Sequence, residues 1–394
     1  MSESNVAIPL QRREIVFRAF LFFFLVYLFL VAISMFGDST KMLTQEYQTL
    51  WNSLVRGLNN PFLGLSLGII ATALMQSSSA TTSLAVAMVA SGTIDLQGAV
   101  TIVMGANIGS SLTCMLVSLG HIRAQKKTFA RAFSAALIQD NFNLLSVIIC
   151  FPLELATHFL SRSAIWLTDV LTFGGASESA ETTTSWFSNP IPGAVAFPVE
   201  YLTHFLQKVC HLAVVPSSAI LCVIGLCLLF FSLVHITRNM KTLMADRIEG
   251  MLNRVLSKNG YLGIAIGCLV TMVIQSSGIT TSLMVPLLAA GILTLRVIYP
   301  IVLGSNIGTT LTAILAAMAY VGTPEGSKGL TLALVHLLFN VFGVLLFYPI
   351  PWMRWPIFIT EFLCPILTRS RWNVILWILF IFFLLPGVGL WLFH

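Results

Sequence analysis

The sequence predicts an all-α polytopic membrane protein built from two inverted-topology repeats, each with a re-entrant broken-helix hairpin. Three observations lead there. Of the 394 residues, 57% are hydrophobic and only 9% are charged, against about 25% charged in a soluble domain. Two polar motifs recur at one spacing inside apolar stretches: Gln76-Ser77-Ser78-Ser79 with Gln275-Ser276-Ser277-Gly278, and Gly105-Ala106-Asn107-Ile108-Gly109 with Gly304-Ser305-Asn306-Ile307-Gly308. Both offsets are the same, since 275 − 76 = 199 and 306 − 107 = 199. Third, the basic residues cluster between apolar runs, so the net charge of +6 reads as topology under the positive-inside rule and not as nucleic-acid binding.

The elements follow in order. Apolar runs near the 20 residues that span about 30 Å of hydrocarbon lie at 15–36, 96–119, 132–155, 211–235, 297–319, 329–350 and 372–392. The first follows Arg12 and Arg13, is long for a signal peptide and lacks a small-residue cleavage site, so it is expected to be retained. Residues 1–60 form this helix and an external segment. The first repeat, 61–171, opens with 61–93, which breaks at Gln76 into two arms too short to span singly. A hairpin tipped by the polar tetrad is the simplest reading. Helix 96–119 leads to the basic cluster Arg123, Lys126, Lys127 and Arg131, placed inside, and 132–155 returns outward. The segment 172–258 holds a polar, Lys- and Arg-free external loop at 172–193, a linking helix, and a second basic loop with Arg238, Lys241, Arg247, Arg254 and Lys258. The second repeat, 259–350, therefore starts inside where the first started outside, and its hairpin 260–293 enters from the opposite face. Residues 351–394 give an interfacial segment with Pro356 and Pro365, then a last helix. Seven cysteines mostly sit in apolar runs without CxxC or paired spacing, so neither a disulfide framework nor a metal cofactor is indicated. The absence of an Asn-x-Ser/Thr sequon favours a multi-pass protein of a bacterial inner (plasma) membrane.

Irregular backbone survives in a bilayer only when buried in protein or lining a wet cavity, so two oppositely inserted tips should meet near the midplane. Each tip offers a Gln amide, hydroxyls and the free N–H groups of a starting helix, which favour an anion. The opposing arms end in carbonyls suited, with Ser and Thr oxygens, to a small cation. Residues 61–118 hold no Lys or Arg, and 260–319 only Arg296, so bound cations would have to offset an anion's charge. A third correspondence, Phe142-Asn143 with Phe339-Asn340, has offset 197. Here the halves diverge: Gln139-Asp140 precedes the first and His336-Leu337 the second. Asp140, an acid inside a span, has three open roles: sodium ligand, proton acceptor, or ion-pair partner of a nearby basic residue such as Arg131. Single Ser, Thr or Gly residues in membrane helices usually pack helices together. Repetition of the whole set argues for a site.

These motifs resemble the type II sodium–phosphate cotransporter family over Gly64 to Glu154 and Gly260 to about Pro349. The resemblance implies inverted repeats that import inorganic phosphate with sodium by alternating access, with no enzymatic activity and no cofactor beyond the cotransported ions. It implies phosphate at Gln76, Ser77, Ser78, Gln275, Ser276 and Ser277, and sodium at Ser79, Thr81, Thr82, Thr280, Thr281 and Ser282. Asn107, Asn306, Asn143, Asn340 and Asp140 would support these sites. Gly278 departs from the family's third serine, Gln139 stands where the family's first repeat tends to have His, and the external loop lacks the cysteine pair of animal members. The competing readings are a symporter of another oxyanion or coupling ion, an anion channel, a regulatory subunit, and an intramembrane serine hydrolase. The last lacks a matched base in both copies, which nucleophile activation needs.

Overall fold

The computed structural model describes residues 12–49, 51, 57, 60–172, 191–255, 260–323 and 325–393, with only the backbone described at 191–192 and 244–255. Among them the chain is helical throughout, without strands. In order come α1 (Arg12–Glu46), α2 (Pro61–Met75), α3 (Ser78–Ala90), α4 (Leu96–Leu119), α5 (Lys126–Thr157), α6 (Phe159–Leu171), α7 (Ile191–His204) and α8 (Val214–Val255). They are followed by α9 (Gly260–Ile274), α10 (Ser277–Ala289), α11 (Leu295–Met318), α12 (Gly326–Phe347), α13 (Trp355–Leu367) and α14 (Arg371–Phe393). Seven described helices, α1, α4, α5, α8, α11, α12 and α14, are long and apolar enough to cross a membrane. The chain is a multi-pass membrane protein.

Local chemistry explains the breaks. Asn60 caps α2 by accepting the Phe62 amide at 3.1 Å, with Pro61 at the first helical position where no amide hydrogen is needed. The hairpin arms α2–α3 and α9–α10 are short because the chain reverses into the left-handed region at Gln76 and Gln275. Each descending arm is bound to the helix that follows its hairpin through glycine. A side chain on Gly68 would collide with the Ile102 carbonyl, and one on Gly105 with that of Leu65. In the second half Gly267 meets Ile301 and Gly304 meets Ile264 in the same way. These seams let the α2–α4 and α9–α11 backbones touch, the close approach that small residues permit between membrane helices.

The two halves exchange contacts. Asn306 Nδ2 donates to Asn143 Oδ1 at 2.8 Å, while Asn340 Nδ2 donates to Asn107 Oδ1 at 3.2 Å. Helix α6 packs on α12, where Thr168 and Thr331 hydroxyls lie 2.9 Å apart, and α13 packs on α5, where Asn141 donates to Thr360 at 2.8 Å. An interface in which i meets j while the counterpart of j meets the counterpart of i is self-complementary, as a two-fold relation requires. Helices α1 and α8 pair antiparallel beside this core: Asn239 donates to the Arg18 carbonyl at 2.8 Å, and Gly225 lies against Ala32 and Phe36. Helix α14 stands outside the duplicated pattern. It runs back along α2, with Gly389 against Ser66 and Phe393 stacked on Phe62 at 4.9 Å. Its end therefore lies where α2 begins.

Three expectations change. The second basic stretch is not a loop at Arg238 and Lys241, because α8 continues for 42 residues through Val255; its Met, Leu, Ala, Lys and Arg are strong helix formers that carry the helix past the apolar run. Segment 352–368 is more than an interfacial strip: α13 buries Pro356, Ile357, Thr360 and Cys364, and Trp352 and Trp355 remain exposed as an interfacial belt would have them. Asp140 has no ion pair with Arg131, whose exposed side chain lies over Gly291. Most of the expected external loop, residues 173–190, and Lys258 lie outside the described residues.

Candidate functional site

Both tips are built alike. At the first, Gln76 adopts φ 53° and Ser77 returns to extended backbone at φ −152°. At the second, Gln275 has φ 62° and Ser276 φ −151°. A left-handed non-glycine residue costs roughly 1–2 kcal/mol, offset here by side-chain bonding. Gln76 Nε2 donates to the Ala73 carbonyl at 2.5 Å and Gln275 Nε2 to that of Met272 at 2.6 Å. Ser77 Oγ then caps α3 by accepting the Ala80 amide at 3.2 Å, and Ser276 Oγ caps α10 by accepting that of Ile279 at 3.4 Å. The remaining first-turn amides of each ascending arm have no helical acceptor.

Threonines brace both tips in the same manner. Thr72 donates to Thr81 at 2.8 Å and Thr271 to Thr280 at 2.9 Å, joining the two arms of each hairpin. From the following helix, Thr113 donates to Gln76 Oε1 at 3.3 Å and Thr312 to Gln275 Oε1 at 2.8 Å. The tips also touch each other: Ser79 Oγ donates to the Gln275 carbonyl at 3.4 Å and lies 3.3 Å from Thr309 Oγ1. Gly278, the counterpart of Ser79, has no hydroxyl to return that contact, and a Cβ there would meet the Thr113 methyl at 3.2 Å. Cys114 Sγ lies 3.1 Å from Thr281 Oγ1 and 3.8 Å from Ser282 Oγ, tying α4 to the second hairpin.

Between the tips is a narrow cleft of about 20 Å³, lined by Gln76, Ser77, Ser78, Ser79, Ser110, Thr113, Ser276, Ser277 and Gly278. That is room for roughly one water molecule. No lining residue is ionisable, and no trio of His, Cys, Asp or Glu that could hold a metal occurs among the described residues. The cleft is lopsided: Gln76 is exposed, whereas Gln275 is buried behind Thr312.

Of the residues expected at the site, the cleft gathers Gln76, Ser77, Ser78, Ser79, Ser276 and Ser277, with Gln275 immediately behind. Thr81, Thr82, Thr280 and Thr281 lie one turn deeper and donate to the carbonyls of Ser77, Ser78, Ser276 and Ser277 at 3.2, 2.9, 3.2 and 2.8 Å. A hydroxyl whose hydrogen is so engaged keeps lone pairs for a cation. Asn143 anchors the layer beneath, donating to the Asn107 carbonyl at 2.6 Å and to Ser111 at 3.2 Å. Asp140 is not part of the cleft. It is fully buried on α5 beside Trp377 of α14. Ser110, Thr113, Thr309 and Thr312 were missed as site residues. Their signal was present, because each pair keeps the 199-residue spacing.

The model of the Na+/Pi-cotransporter family matches residues 28–163 and again 228–364. The chain is 31% identical over 449 residues to sodium-dependent phosphate transport protein 2B of Pongo abelii and 30% identical over 449 residues to that of Homo sapiens; each match covers 95% of this chain and 64% of the relative. It is 32% identical over 392 residues to sodium-dependent phosphate transport protein 2A of Ovis aries, covering 84% of this chain and 61% of the relative. The chain thus spans less than two thirds of the length of these curated relatives. No solved structure matches it.

Proposed function

The chain belongs to the Na+/Pi-cotransporter family, and from that premise we propose that it is a secondary active symporter importing inorganic phosphate with sodium by alternating access. The observation that carries this reading is the pair of equivalent Gln-Ser-Ser tips on one cleft without a fixed cation. Hydroxyls, Gln amides and first-turn N–H groups hold an anion by hydrogen bonds and the helix dipole. The charge of the phosphate is left to mobile sodium, which makes binding of the two interdependent. Gln76, Ser77, Ser78, Gln275, Ser276 and Ser277 take phosphate in this reading. Ser79, Thr81, Thr82, Thr280, Thr281 and Ser282 supply oxygen to sodium, and Asp140 supplies one carboxylate to a coupling ion. The cleft is too small for phosphate as it stands, so the tips part to admit it. The family is one of cotransporters, so no bond of the solute is made or broken.

Two inverted repeats give this cycle its symmetry. The exchanged asparagine pairs support a two-fold relation, and the alternation of basic clusters supports an axis in the membrane plane. We take the repeats to include α1–α6 and α8–α13, wider than 61–171 and 259–350, because the family matches begin inside α1 and α8 and end inside α6 and α13. A plasma-membrane location, in a bacterial inner membrane, fits the missing sequons. The test is uptake of radiolabelled phosphate into proteoliposomes with and without an inward sodium gradient. Accumulation only with the gradient is expected. Phosphate flux of equal rate without sodium would replace the symporter with a channel.

A further inference from the structure

On α5, each polar neighbour of Asp140 has a partner of its own: Gln139 Nε2 donates to Ser110 at 3.4 Å, Asn141 to Thr360 at 2.8 Å, and Asn143 to the Asn107 carbonyl at 2.6 Å. Asp140 has none. Both of its carboxyl oxygens are buried without a hydrogen bond. The Trp377 indole N–H, also buried and unbonded, lies beside it. An acceptor without a donor and a donor without an acceptor, both shielded from water, each lack what the other could supply. Leaving a buried polar group unsatisfied costs about 1–3 kcal/mol, more when it is charged.

The placement is specific to one half of the molecule. Leu337 stands at the position equivalent to Asp140 in the second half, and α14 lies outside the duplicated pattern. Three residues past Trp377, the helix widens into a π turn at Phe380–Leu384, an irregularity that frequently accompanies functional sites. Ser370 fixes the start of α14 by accepting the Trp372 amide at 3.3 Å, and buried Val374 and Ile378 flank Trp377 on the packed face.

We propose that Trp377 is a positioning residue for the Asp140 carboxylate, its N–H orienting that carboxylate so that α14 tunes sodium affinity. The inference rests on the reading of Asp140 as a coupling-ion ligand. Donors to a ligating carboxylate fix its orientation, and their loss typically weakens metal binding by 10- to 100-fold.

The test uses the full chain in proteoliposomes, measuring phosphate uptake against sodium concentration. Trp377→Phe keeps an aromatic ring and removes the N–H. It is expected to raise the sodium half-saturation roughly tenfold, while maximal rate and phosphate half-saturation at saturating sodium stay within about twofold. Trp377→His, which retains a donor, is expected to recover part of the sodium affinity. Sodium-dependent thermal stabilisation of the purified protein reads the same shift without transport. If Asp140→Asn shifts the sodium curve and Trp377→Phe does not, the positioning role is wrong and the Asp140 assignment stands. If neither variant shifts it, the Asp140 assignment fails and takes the inference with it. A fall in maximal rate alone for Trp377→Phe, or a shift without any effect of Asp140→Asn, also overturns the inference.

Discussion

At the scale of single residues, the two glutamines are the most informative side chains. Each sits in left-handed backbone that glycine would adopt more easily, so what the amide does has to offset that strain. Both amides spend a hydrogen on their own arm and accept from a threonine of the next helix. Gln275→Ala leaves Thr312 and the Met272 carbonyl without partners, a loss of about 1 kcal/mol per hydrogen bond; Gln76→Ala does the same at the more open tip. We expect both variants to insert normally and to lose most phosphate uptake, with Gln275→Ala also lowering thermal stability more than Gln76→Ala. Normal phosphate kinetics in both would refute the ligand assignment. Gly278 marks the reverse situation. The hydroxyl that Ser79 directs at the opposite tip has no equivalent there, so the two tips differ in the bonds that hold them shut.

At the scale of elements, the glycine seams bind each hairpin to its following helix. Adding side chains at Gly105 or Gly304 drives a Cβ into the facing carbonyl, and overpacking of this kind costs about 1–3 kcal/mol. Gly105→Val and Gly304→Val should therefore lower the thermal unfolding temperature in detergent far more than Gly387→Val, where the added group meets open space. Equal effects at all three positions would remove the seams as the source of rigidity. The same seams explain why the repeat was so legible: apolar runs, tetrads and glycine motifs are local patterns, and the spanning helices follow the apolar runs, with α1, α5 and α14 longer at both ends and α8 continuing to Val255. Helix α7 has no counterpart among the expected elements, since the expected loop ends at 193 and the next apolar run begins at 211, yet it packs on α1, where Tyr27 donates to the Ala194 carbonyl at 3.1 Å. The role of Thr113 and Thr312 was hidden for another reason. Threonine in a membrane helix carries no distinguishing mark until folding brings it over a glutamine. The approach of Trp377 to Asp140 joins residues far apart in the chain and leaves no periodic trace at all.

At the scale of the whole molecule, the arrangement is two similar halves in exchanged contact, with α7 following the first and α14 the second. The turns after α4 and α11 occupy equivalent places in the halves, so an inverted relation sends them to opposite faces. Cysteines introduced at His121 and Val321, with the exposed Cys210 and Cys227 replaced by serine, should react with an impermeant thiol reagent from opposite sides of sealed vesicles. Labelling of both from one side would make the repeats parallel. The asparagine exchange then has a consequence for motion. Backbone is fused to backbone within a hairpin unit, whereas Asn107–Asn340 and Asn143–Asn306 are bridges between side chains alone. Such bridges are worth little individually in a membrane, about 0.6 kcal/mol on average. Shape change should concentrate where the fastening is light, with each unit swivelling as a stiff block while four amides let go and catch again.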